Sequence, residues 1–526
     1  MSRFTFGIII AEVEGMNLGL LARLAFGYLM LTVTANAQTT LESLTRNNTA
    51  ACPAEGALPS HCKQTFAGQS DPRPLVATPL FDAPAGNVSD EDPHIYLKDG
   101  EATKIFASVM TAFCTEGTLE SCHNNVRTGY NSDDDATVAA QVEDMKRRHI
   151  DGAILVWAGN GTSQDETTLK FQQYLSANDC KAGQACDHSY LIMYDGAAMD
   201  WNVSSSGIPG TTSIGCGDRI GVAYEDCVIE HIRNDMCYLN GMHWGSNAYL
   251  KVNGRPVVQI FPNEGVIAPE GPAPSWTDVW VHVADWNRNL PQNCGKPPFN
   301  IDHGIPLIIF EDSVGFRHAA SSGAYYWIKV DGTDPAHSQF LFDLSSPSSS
   351  ETLQQFYENG RKFPDRETWG AAFKGFNSSR SAWGANRILD QACGQLWVAS
   401  LSSSNLFATP GLNFLQIITW NDYNEGTEIE SGIDNCYTVR AEIQNKQLTW
   451  KLESSNRLAN LMTVSSIEIY DSSDGKNLTL LDKVKPATTG TWSLAGLRSG
   501  SHTIYVRMVG KNSILNRISP GVSFHN

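Results

Sequence analysis

Basic residues are scarce in this chain. Lys and Arg number 38 against 56 Asp and Glu, for a formal net charge of −18. A surface of that sign repels phosphate backbones and anionic lipid headgroups, which argues against nucleic acid and acidic membrane surfaces as partners. Metal-ligand spacings are missing too. There is no C-x-x-C and no H-E-x-x-H, and His149, His243, His282, His303 and His318 are scattered along the chain. They read as core or surface residues, and no metal site is expected. The chain has no G-x-G-x-x-G turn and no P-loop, so a nucleotide phosphate finds no cradle and no cofactor is implied. Charged residues make up only 18% and hydrophobic residues 41%, a balance that excludes general disorder and supplies a large core.

At 526 residues the chain exceeds one ordinary domain and suits a large barrel with a small partner. From Met16 it reads MNLGLLARLAFGYLMLTVTANAQ: one Arg, an apolar run too short to span a bilayer, then Ala35-Asn36-Ala37. That pattern predicts a signal peptide over residues 1–37, with Met16 as the true start and Gln38 as the mature N-terminus. A secreted protein is expected, extracellular or in the periplasm or cell envelope, monomeric and without stable membrane insertion. The 12 Cys then read mostly as disulfides, with the sequence neighbours Cys52–Cys62, Cys114–Cys122 and Cys180–Cys186 paired. Cys216, Cys227, Cys237, Cys294, Cys393 and Cys436 leave fifteen connectivities open.

Residues 38–74 read as a loop-like N-terminal extension. Beyond them eight apolar runs predict strands: LVATPLF (Leu75–Phe81), IDGAILVWAGN, SYLIMYDG, GRPVVQIFPNEG, IPLIIFEDS, AYYWIKVDG, WGAAFKGFN and FLQIITWNDYNEG. Helical patterns intervene. Val138, Val142 and Met145 form one apolar face of a helix capped by Asp134, and residues 350–360 form another helix. The acids Asp133, Asp134 and Asp135 suit helix capping and the helix dipole better than calcium. Strands that are apolar throughout are covered on both faces, hence parallel, and eight in series predict an α/β fold, a (β/α)8 TIM barrel over residues 75–436. From residue 437 the pattern alternates without helix signals (QLTWKLES, SSIEIYDSSDG, KNLTLLDKV, GTWSLAG, SHTIYVRMVG), with a hairpin turn at Asp474-Gly475. Residues 437–526 therefore read as a C-terminal all-β sandwich of fibronectin type III or Ig-like kind, with a structural role.

The sharpest functional signal follows the last apolar run: Thr419–Glu430, TWNDYNEGTEIE. Cleaving a glycosidic bond takes two carboxyl groups, one to protonate the leaving oxygen and one to activate water or attack the sugar. Asp422 and Glu425 lie three apart in a loop at the expected barrel mouth. Glu425, with the longer reach and Gly426 after it, reads as general acid and Asp422 as the base. Sugar rings need aromatic platforms and polar edges, and strand ends supply them: Trp157, Tyr194, Trp327, Trp420 and Tyr423 beside Asp195, Asn263, Glu311, Asp312, Asn377 and Asn421. Glu428 and Glu430 read as solvent-facing or as makers of structural hydrogen bonds.

TWNDYNEG resembles the TWNDYGES signature of glycoside hydrolase family 71, the endo-α-1,3-glucanases or mutanases. It is also similar to the WNEWHEG motif of family 99, the endo-α-mannosidases and mannanases. Both resemblances imply a (β/α) barrel and place the carboxylate pair on Asp422 and Glu425, with Glu425 as the acid. RRHIDGAILVWAG is similar to the second-strand region of both families, YLKVNGRPVV to a segment before the fourth strand in family 99, and LIMYD to a family 71 strand ending in Asp, here Asp195. Asn424-Glu425-Gly426 departs from the Gly-Glu-Ser of family 71, and GTEIE is closer to family 99. The expected substrate is a polysaccharide or oligosaccharide, α-1,3-glucan first and α-mannan second. A barrel that keeps the sugar cleft without turnover is the binding-protein alternative.

Overall fold

The computed structural model describes residues 87–114, 123–124, 130–181, 186–196, 199–200, 212–213, 216, 224–261, 280, 283, 305–328, 330, 352–378, 388–404, 408 and 411–526. Eight parallel strands close on themselves: β1 (Lys104–Val109), β2 (Gly152–Trp157), β3 (Ser189–Asp195), β4 (Arg255–Phe261), β5 (Leu307–Glu311), β6 (Gly323–Tyr325), β7 (Glu367–Phe373) and β8 (Phe414–Ile418). Each pairs with its successor, and β8 returns to β1 in parallel register, Lys104 opposite Phe414. Helices α1 (Asp135–Arg147), α2 (Ser163–Asn178), α3 (Tyr224–Met242), α4 (Leu353–Gly360) and α5 (Gln395–Ser402) lie between strands along the chain. This is the expected (β/α)8 barrel.

Seven of the eight strands fall on the runs picked out above. The first does not: barrel closure uses KIFASV at β1, so Leu75–Phe81 is not among the eight and lies outside the described residues, as do the signal peptide and the N-terminal extension. KIFASV opens on Lys104 and holds Ser108, and these polar positions hide a short strand among apolar runs of greater length.

Side chains alternate between the barrel axis and the helices. Gln259 on β4 donates to Gln416 on β8 across the axis at 3.0 Å, and Gln416 donates to Ser108 on β1 at 3.0 Å, which fixes these three as inward. One layer toward the strand starts, Phe106, Trp369 and Phe414 fill the axis, the last two stacked with centroids 4.4 Å apart. Gly152 opposite Phe106 makes room for them, since a Cβ there would stand 2.5 Å from the Phe106 ring. By the same alternation Asp195, Phe261, Glu311 and Tyr325 face inward at the strands' C-terminal ends.

Helix α1 buries Val138, Val142 and Met145 as expected, and Asp134 holds the cap position without a side-chain capping bond. Helix α4 starts on a capping box between Thr352 and Gln355. Residues 438–525 form antiparallel sheets. One joins β9 (Thr438–Gln444), β10 (Gln447–Glu453) and β13 (Thr489–Ser493). The other joins β11 (Val464–Ser472), β12 (Thr479–Val484), β14 (Ser501–Gly510), β15 (Arg517–Ile518) and β16 (Val522–His525). Val439, Leu448, Trp450 and Leu452 of the first share one buried cluster with Ile467, Ile469, Ile504, Val506 and Met508 of the second. Gly475, at φ +72°, turns the chain between β11 and β12, while the Asp474 carboxylate accepts the N–H groups of Lys476 and Asn477.

Cys180–Cys186 forms as expected. Two of the open pairings resolve as Cys216–Cys227 and Cys393–Cys436. The pairings Cys52–Cys62 and Cys114–Cys122 involve residues outside those described.

Candidate active site

The motif leaves β8 at the barrel mouth. Trp420 N–H donates to Ser108 O at 2.7 Å, which carries the β8–β1 pairing past the strand end. Asn421 is fully buried and grips the end of β1: its Oδ1 accepts Met110 N–H at 2.8 Å, and its Nδ2 donates to Met110 O and to the Tyr130 hydroxyl. The chain then turns tightly. Thr419 Oγ1 accepts Asp422 N–H at 2.9 Å, and Asp422 Oδ1 accepts the N–H groups of Asn424 and Glu425, both at 3.0 Å. Gly426 closes the turn at φ +63°, where a side chain is strained and would crowd Asn377.

Asp422 is buried, and burial pushes its carboxyl up to about 7 against the pull of the two N–H donors, with the negative charge of Glu428 adding to the rise. Glu425 is half-buried, and its carbonyl accepts the Asn377 N–H. Glu428 is paired with Lys374, at the end of β7, at 2.9 Å. Glu430 is buried behind the loop. It accepts from the Tyr423 hydroxyl at 2.7 Å, the Tyr130 hydroxyl at 2.9 Å and Gln141 Nε2 at 3.5 Å, and burial pushes its carboxyl up to about 7. Of the two readings given for Glu430, hydrogen bonding holds and solvent exposure does not.

The other expected site residues divide by strand parity. Asp195, Glu311 and Asp312 gather round the buried Tyr325, whose hydroxyl their charges help to push up after burial itself. Trp327 packs on Phe261 at 5.2 Å and on Tyr325, on the inner side of the mouth. Asn377 lies against the motif loop. Trp157 and Tyr194 face the other way. Trp157 donates its indole N–H to Asp165 of α2 and stacks on Tyr238 of α3, while the Tyr194 hydroxyl donates to Asp235 of α3. Both rings are fully buried between sheet and helices, so they are wall residues and not sugar platforms. Trp420 is fully buried too, beneath the Arg148 guanidinium at 4.8 Å, and Tyr423 spends its hydroxyl on Glu430. Asn263 lies outside the described residues.

Two supports escape a reading by residue type. Arg148, fully buried, donates to Ile429 O at 2.8 Å and Glu430 O at 2.6 Å and pairs with Asp144 at 2.5 Å, so α1 holds the motif's return segment. The Lys374–Glu428 pair joins β7 to the same segment. Alternation along Thr427-Glu428-Ile429-Glu430 gave no signal for this, because Glu430 is buried together with Thr427 and Ile429. Among the described residues no group of three or more His, Cys, Asp or Glu is placed to hold a metal ion, and no helix is long and apolar enough to cross a membrane.

No protein-family model and no curated protein matches the chain. Solved structures do. A GH99 endo-alpha-mannosidase from Bacteroides thetaiotaomicron, in complex with bis-tris-propane, is similar at 9% identity and a TM-score of 0.40, over 65% of this chain and 88% of that one. A second structure of such an enzyme from the same organism gives 11% identity and a TM-score of 0.38, over 62% and 87%. A structure described as a glycoside hydrolase-like protein gives 13% identity and a TM-score of 0.40, over 62% and 86%.

Proposed function

We propose that this chain is a secreted glycoside hydrolase that cuts α-glycosidic bonds of a polysaccharide, with Glu425 as general acid and Asp422 as general base. One observation carries the reading: a buried carboxyl with its proton held up to about 7 sits three residues from a second carboxyl, on a tight loop at the mouth of a closed parallel barrel. A carboxylate raised that far is a stronger base than an ordinary one, which suits it to draw a proton from water or from the sugar's own hydroxyl. The inner-facing Asp195, Glu311 and Trp327 supply polar edges and ring surface for a sugar. The TWNDYNEG resemblance points to endo-α-1,3-glucan cleavage. The likeness of the GTEIE segment to family 99 points to α-mannan as the second reading. The two C-terminal sheets, sharing one core, are read as a fibronectin type III-like sandwich.

The test is a hydrolysis screen of residues 38–526 on insoluble α-1,3-glucan, mixed-linkage α-glucan and α-mannan. Asp422→Asn and Glu425→Gln should each lower release of reducing sugar by about two orders of magnitude or more. With Asp422 as the base, kcat/KM should rise as pH climbs through about 7. Unchanged rates in both variants would refute the site. Retention of polymer without cleavage would favour a binding protein.

A further inference from the structure

We propose that Asn160, on the loop that leaves β2 at the barrel mouth, carries an N-linked glycan; this rests on the reading of the chain as exported. Six Asn-x-Ser/Thr sequences occur, at Asn47, Asn87, Asn160, Asn202, Asn377 and Asn477. Asn47 and Asn202 lie outside the described residues. The other four differ in what surrounds the acceptor amide. Asn87 is half-buried, with its segment bridged to the loop between β14 and β15, Val88 opposite Leu515. Asn377 is half-buried against Gly426 of the motif loop, where a sugar would stand in the mouth. Asn477 is half-buried and its amide donates to the Asp474 carboxylate. Asn160 alone among the described acceptors is exposed, and its side-chain amide has no hydrogen-bond partner among the described residues.

The ground around Asn160 is open as well. Gly161 beside it is exposed too and, at φ +78°, has no atom within 4 Å of where a Cβ would stand. Thr162 completes the acceptor sequence, yet in the folded chain it is buried. Its hydroxyl donates to Gly159 O at 2.8 Å and accepts Asp165 N–H at 3.2 Å as the cap of α2. Transfer therefore belongs to the chain before α2 forms, while the hydroxyl is still accessible. In the step, the Asn160 amide nitrogen attacks the anomeric carbon of a lipid-diphosphate-linked oligosaccharide. A C–N bond forms, the C–O bond to the diphosphate breaks, the amide loses one proton, and the lipid diphosphate leaves. No oxidant or reductant is needed.

The full chain would be secreted from a eukaryotic host and treated with peptide-N-glycosidase in heavy-oxygen water, which turns a glycosylated Asn into a labelled Asp. The expected result is label at residue 160 and, in Asn160→Gln, loss of one glycan's mass from the intact protein with an unchanged far-UV spectrum. A secreted chain with unlabelled Asn160 would overturn this inference and leave the export reading standing. A chain retained in the cell with Asn160 unlabelled would overturn both. Label at Asn377 would instead strike at the mouth as the place of catalysis.

Discussion

At the residue scale the site depends on where protons sit. Asp422 and Glu430 keep theirs in the folded chain to about 7, well above the ordinary 3.8 and 4.5. A carboxyl whose pKa is raised by folding contributes stability that is full below its unfolded value and lost as pH rises through its folded one. The chain should therefore melt at progressively lower temperature as pH goes from about 4 to about 7. Glu430→Gln cannot titrate, so its thermal midpoint should change less over that window than that of the unsubstituted chain. Equal slopes for the two proteins would refute the buried, proton-holding role of Glu430. The sequence showed the acids of this motif but not their environments. Glu430 faces Tyr130 and Tyr423 whereas Glu428 faces Lys374, and Tyr130 and Lys374 come from elements far off in the chain.

At the element scale the barrel was legible because seven of its strands lie in largely apolar runs. The same property concealed their facing. In GAILVW all six residues are buried, so no polar position marks which side meets the axis. Trp157 and Tyr194 consequently looked like mouth residues until the Gln259–Gln416–Ser108 ties fixed the parity and turned them toward α2 and α3. Helix α1 was legible from its apolar face, but Arg148 at its end was opaque as a support. Arg148→Met would leave the carbonyls of Ile429 and Glu430 without their donor and Asp144 with Arg147 alone, a loss of about 3–5 kcal/mol by the usual cost of breaking a buried pair. Urea unfolding would read it. Arg148→Lys should recover little, because one ammonium cannot reproduce the planar fork across three acceptors. Full recovery by Lys would show that charge alone is required.

At the scale of the whole molecule, the C-terminal sheets are tied into the barrel. Trp397 of α5 donates to Asn512 O at 2.7 Å, Asn512 donates to Glu91 O at 2.7 Å and Arg148 O at 3.1 Å, and Ile433 N–H donates to Ser513 O at 2.9 Å. Cys393–Cys436 adds a covalent tie across a separation of 43 residues. A chain ending at Asn435 should therefore lose the cooperative thermal transition and near-UV signal of the full chain, whereas a detachable module would leave the barrel's melt intact. Composition announced the change of style at residue 437, but could not announce this dependence, because it rests on one loop whose residues look like an ordinary turn.

That loop also sets an order of events. Glu91 and Asn512 are 421 positions apart, and the neighbouring pairs Ser89 with Ile514 and Asn87 with Asn516 are joined by backbone bonds. A growing chain reaches residue 91 long before it reaches residue 512, so this clasp stays open throughout the synthesis of every strand between them. The segment at 87–91 waits unpartnered until translation has passed residue 516.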